Sequence, residues 1–164
     1  MTRRARILVP GDPSAVVLAR DRVLTQVRAW GVPLDEELRD AVRLVASELI
    51  TNAVVHGGGF TTVGLYLSED RLLLVVHDGN SEPPQLQHAT VDDEAGRGLA
   101  LVDFFATRHG WKPTTNGKRV WAEFEVPVPS PATHHEVLRR RMREAVPRAY
   151  ANVMPSWLAT AAGL

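Results

Sequence analysis

The sequence predicts an α+β fold, a two-layer sandwich in which a mixed, mostly antiparallel sheet carries its helices on one face. Three observations lead there. The periodic segments run strand, helix, helix, hairpin, long loop, helix, two strands. Two apolar runs separated by Glu69-Asp70 read as an antiparallel hairpin. The helical segments carry apolar residues at spacings of three and four, which leaves each with one face to bury.

In chain order, ARILVP reads as a short strand. GDPSAVVLARDRVLTQVRAWG reads as a helix with Asp12 or Ser14 as N-cap, Pro13 near the first turn and Gly31 after the end. A second helix starts near Leu34 or Asp35 and runs to the glycines at 57–59. FTTVGLYLS and RLLLVVHD form the hairpin, and the second run, more uniformly apolar, is expected at the centre of the sheet. From Gly79 to Gly96 the chain is polar, with adjacent prolines and no usable period, and reads as a long functional loop. GRGLALVDFFATR is a helix opened by glycines. RHGWKP and RVWAEFEVPV are strands joined through the Asn116-Gly117 turn pair. Prolines 127, 129 and 131 close a domain over residues 1–130, and residues 131–164 read as a basic, helical C-terminal extension.

Charge is balanced, with 19 basic and 19 acidic side chains, so no global field recruits nucleic acid or an anionic membrane. No basic groove or aromatic platform supports a nucleic-acid role. There is no cysteine, hence no disulfide and no thiolate metal site. The N-terminal apolar run stops at Pro10, short of a signal sequence, and no segment approaches the roughly 18 apolar residues of a membrane span. The expectation is a soluble, cytoplasmic protein.

Within the second helix, ELITNAVVH places Glu48, Asn52 and His56 four residues apart, along one stripe of the surface. Such groups on an otherwise apolar helix need partners, since each one buried unpaired costs roughly 1–3 kcal/mol. Two more polar features follow: Asp78 at the end of an apolar strand, and Gly96-Arg97-Gly98 at the mouth of a helix. Taken singly, each has an ordinary reading as a solvated helix face, a turn or a flexible helix entrance. Together they suit a nucleotide. A helix N-terminus with glycines offers N–H groups and positive dipole to phosphate, so Gly96 to Leu99 can cradle an anion, and Arg97 adds a charged donor. Asn52 and Glu48 offer hard oxygen ligands fit for magnesium, and Asp78 can accept from an exocyclic amine. No GxxxxGK[ST] is present, which excludes a P-loop. A metal site without nucleotide is disfavoured, because asparagine is a poor zinc ligand and the 6 histidines show no HxxxH spacing.

These segments resemble the motifs of the Bergerat-fold (GHKL) ATPases: ELITNAVVHG the N-box, VHDGN the first glycine box and GRGLALVD the second. Within that group the chain is most similar to the bacterial anti-sigma factor serine/threonine kinases, over about residues 10–128. The resemblance implies a histidine kinase-like ATP-binding domain using ATP and Mg2+. It would make Glu48 the general base or water-positioning acid, and Asn52 the magnesium ligand. Asp78 would bind the adenine amine, with Asn80 in the same box. His56 would stand near the phosphates with Gly96, Arg97, Gly98 and Leu99, and residues 80–95 would form the ATP lid. Two departures stand out: Asn80 holds a place where the family usually has glycine, and Lys118, Arg119 and Val120 follow Gly117 where a threonine is common.

The activity implied is phosphorylation of an anti-anti-sigma (STAS-type) partner by a protein that also binds a sigma factor, and relatives of this kind suggest a homodimer. Two alternatives are a nucleotide-gated module that sequesters a partner without phosphoryl transfer, and an interaction protein with a degenerate pocket. No histidine lies in a helix of the type a sensor kinase autophosphorylates, and His77 reads as structural. The tail run from Leu138 to Arg143 reads as a solvated helix packed through Val137, Leu138 and Met142.

Overall fold

The computed structural model describes residues 2–84 and 98–128, and Pro155. Most of the expected lid, with Gly96 and Arg97, lies outside the described residues, as does the C-terminal extension apart from Pro155.

Strand β1 (Arg3–Val9) is followed by helices α1 (Ala15–Ala29) and α2 (Glu36–His56). The hairpin β2 (Thr61–Ser68) and β3 (Arg71–Asp78) comes next, then α3 (Gly98–Phe105), β4 (Arg108–Thr114) and β5 (Gly117–Glu125). The five strands form one sheet in the order β1-β2-β3-β5-β4. The expected α+β sandwich with helices on one face is present, and the sheet is antiparallel at every pairing rather than mixed. The reason is topological. The connection through α3 leads to the edge strand β4, and the tight turn at 115–116 returns β5 beside β3 running the opposite way.

α2 organises the helical layer. Asp35 caps it, its carboxylate accepting from the Leu38 N–H at 2.7 Å, and Glu36 and Glu37 complement the positive dipole of the first turn. Leu38, Val42, Val45, Leu49, Ile50, Ala53 and Val54 are buried at spacings of three and four and meet Val63, Leu65, Leu72, Leu74, Val76, Ala122 and Phe124 of the sheet. α1 adds Val23 and Val27 to the same core. Its N-cap residue Ser14 makes no side-chain cap bond; the Asp12 carboxylate instead accepts from the Ser14 N–H at 3.0 Å.

The central position expected for RLLLVVHD is realised as β3, which is buried on both faces. Leu72, Leu74 and Val76 face the helices, while Leu73 and Val75 join Trp121 in a second cluster on the other side. Asp78 therefore ends a strand with no exposed face, at the same end of the molecule as the C-terminus of α2.

Candidate nucleotide site

Burial divides α2 lengthwise. Its inner face is packed, and Glu48, Asn52 and His56 run along the flank, each only partly buried. Desolvation raises the Glu48 carboxyl above its ordinary value. A carboxylate in such a position holds a proton more readily than a solvated one, and one turn further on Asn52 presents a neutral amide oxygen.

The helix then stops against the end of β3. A Cβ on Gly57 would lie 2.7 Å from Asp78 Cβ and 2.2 Å from the Ala53 carbonyl oxygen, so only glycine lets the two elements close. Across the sheet, Gly117 has φ 142°, and a Cβ there would sit 1.8 Å from the Asp78 carbonyl oxygen. Asp78 is thus walled by glycine on two sides, and its side chain is 2% exposed.

A buried carboxylate needs partners, and Asp78 has them. Its Oδ1 accepts from the Asn80 N–H at 2.9 Å and from Lys118 Nζ at 3.0 Å. Lys118 stands directly opposite Asp78 in the β3/β5 register, with a side chain 3% exposed, and donates also to the Asn80 carbonyl at 3.1 Å. Asn80 ties the group to the helix: its Nδ2 donates to the His56 carbonyl at 3.1 Å, and its Oδ1 accepts from the Glu82 N–H at 3.0 Å. What Asn80 supplies where a glycine was expected is a clamp between the C-terminus of α2 and the loop that leaves β3.

The structure thus brings together His56, Asp78 and Asn80 through bonds, and sets Asn52 one turn and Glu48 two turns back along the same helix. His56 enters the network through its backbone carbonyl. Gly98 and Leu99 open α3, which packs against α2 through the core residue Val102, while Gly96 and Arg97 lie outside the described residues. His77 points to the sheet face opposite the helices and shares a hydrogen bond of 3.2 Å with Thr114 Oγ1, in keeping with a structural part.

Two contributors were not legible as site residues. Gly57 looked like a plain helix stop, because the same glycine both ends α2 and contacts Asp78. Lys118 reads in the sequence only as one of the three residues that follow Gly117 where a threonine is common, and the strand register is what aims its ammonium at Asp78. The turn glycine one residue before it was the available signal.

The donor set fits a nucleotide with magnesium. Among the described residues no group of three or more His, Cys, Asp or Glu side chains could hold a metal by itself, whereas Asn52 offers a single oxygen of the kind that suits an ion shared with phosphates and water. The glycines at 57 and 117 let two backbone segments close on Asp78, and its carboxylate is an acceptor of the kind that reads an exocyclic amine. No helix among the described residues is long and apolar enough to cross a membrane. A comparison with curated proteins found no match. Residues 9–124, well over half the chain, match the family model described as the histidine kinase-like ATPase domain, and the two-layer fold with its antiparallel sheet is the one that domain has. The chain therefore belongs to the histidine kinase-like ATPase family, within the GHKL ATP-binding superfamily.

Proposed function

We propose that the protein is an ATP-dependent serine/threonine kinase that acts as an anti-sigma factor, binding a sigma factor and phosphorylating an anti-anti-sigma partner of the STAS type. The observation that carries the reading is the flank of α2, where Glu48 with its raised pKa stands one turn from Asn52 and two from the Asp78/Asn80 network. A partner hydroxyl needs a base to take its proton as it attacks, and a partly desolvated carboxylate suits that part. Asn52 would hold magnesium, which supplies neutralisation of phosphate charge when bound with ATP. Asp78 would accept from the adenine amine, and the backbone opening α3 would face the phosphates. We place the protein in the cytoplasm, where its nucleotide and both partners would be met, and expect it to work as a homodimer.

The test is incubation of the full chain with Mg-ATP and STAS-domain proteins of the same cell, with phosphoserine or phosphothreonine read by mass spectrometry. Glu48→Ala should lower transfer by at least about a hundredfold while leaving partner binding intact. Transfer that survives the substitution at the wild-type rate would remove Glu48 from the chemistry.

A second reading, a nucleotide-gated binding module that transfers nothing, draws on Asn80 standing where the resembling kinases usually have glycine, and on Lys118, Arg119 and Val120 following Gly117 where a threonine is common. In that case the wild type would bind its partner in a nucleotide-dependent way, yield no phosphoprotein, and be indifferent to Glu48→Ala.

A further inference from the structure

Burying a lysine is costly unless its charge is used, and the ammonium of Lys118 is held beside Asp78 rather than extended to water. Resting on the nucleotide reading of the site, we propose that Lys118 is a specificity-determining residue of the base pocket, donating to a ring nitrogen of the purine while Asp78 takes the exocyclic amine.

The argument is a count of donors and acceptors. An ammonium has three N–H groups. Two are placed, on Asp78 Oδ1 and on the Asn80 carbonyl, which leaves one. Among the described residues both groups that bond Asp78 do so at Oδ1, so Oδ2 is the oxygen that remains for a ligand. The strand end therefore offers one acceptor and one cationic donor side by side. Adenine presents the matching pair on one edge, an amine donor at C6 and an acceptor at N1. Guanine presents the reverse there, a carbonyl at C6 and an N–H at N1, so the same pair discriminates against it. The pair is also held in position: Gly117, against the Asp78 carbonyl, fixes the start of β5, and register sets Lys118 opposite Asp78. A tether between Asp78 and Asn80 alone would use two N–H groups and require nothing of the base.

The experiment compares ATP with 1-deazaadenosine triphosphate, which keeps the amine but has C–H in place of N1. Binding to the full chain is measured by calorimetry for wild type, Lys118→Met and Lys118→Arg, with a thermal melt of each as the folding control. The wild type is expected to bind ATP about tenfold or more tightly than the deaza analogue, as the loss of a hydrogen bond to a charged donor requires. Lys118→Met should abolish that difference, and Lys118→Arg should keep most of it. Equal binding of both nucleotides by the wild type would overturn the inference, as would a Lys118→Met variant that weakens both by the same factor. The wild-type comparison needs no variant, so equal binding overturns the inference even where Lys118→Met folds poorly, and Lys118→Ala, measured with the same pair of nucleotides, then replaces Lys118→Met as the variant that must lose the difference. Failure of the wild type to bind any purine nucleotide would overturn the site reading itself, an outcome distinct from failure of the Lys118 assignment.

Discussion

At the scale of single residues, the Asp78–Lys118 pair governs how substitutions at the site must be read. Removing one member of a buried ion pair strands the other, at a cost of about 3–5 kcal/mol, whereas replacing both with apolar groups of similar size is close to neutral. Asp78→Ala is accordingly expected to lower the urea midpoint sharply, and Asp78→Ala with Lys118→Met to recover most of the loss. A double variant no more stable than the single would show that the pair is not the reason. Glu48 behaves differently. Its pKa is raised in the folded state by desolvation, so its contribution to stability is full below the unfolded carboxyl value and is lost as pH rises through the folded one. Glu48→Gln should therefore melt at a higher temperature than wild type at neutral pH, the gap closing as pH falls below the ordinary glutamate value of about 4.3. His77 has the opposite sign for a base: desolvation first, then Arg119 and Arg6, lower its pKa against the opposing pull of Asp78. Its contribution is whole above the ordinary histidine value, about 6.5, and is lost as pH falls through the lowered one. His77→Gln should flatten the acid limb of a melting profile measured below pH 6.5, and an unchanged limb would count against this account.

At the scale of elements, the cap and the turn carry the site. Asp35 satisfies an N–H that would otherwise be orphaned at the start of α2, so Asp35→Ala should cost about 1 kcal/mol by chemical denaturation and leave nucleotide binding unchanged. Gly117→Ala meets both a φ unsuited to other residues and the Asp78 carbonyl 1.8 Å away. It should cost at least about 2 kcal/mol and weaken nucleotide binding together with stability. Here the sequence was informative to different depths. The stripe on α2 followed from four-residue spacing alone, because a helix converts spacing into a shared face. The centrality of β3 followed from its unbroken apolar run. That Asn80 would clamp two elements, and that Lys118 would pair with Asp78, depended on which strands lie side by side and in what register, a non-local fact that no periodicity encodes. Arg97, expected at the phosphates, and most of the expected lid lie outside the described residues.

At the scale of the molecule, the five-stranded sheet and the helical layer hold the C-terminus of α2, the end of β3 and the start of β5 in one place through a core that runs from Ile7 to Val126. A ligand bound there contacts elements far apart in sequence, and should stabilise the whole fold by about 2.7 kcal/mol at a hundred times its Kd. The central claim is that this junction binds ATP with magnesium. It is tested most directly by calorimetric titration of the full chain with ATP, with and without magnesium, for wild type and Asn52→Ala, since Asn52 lies outside the buried ion pair and its loss should not unfold the domain. Magnesium-dependent binding by the wild type, weakened about tenfold or more by Asn52→Ala, is the predicted result. No binding at millimolar ATP, or binding indifferent to both magnesium and Asn52, would contradict it.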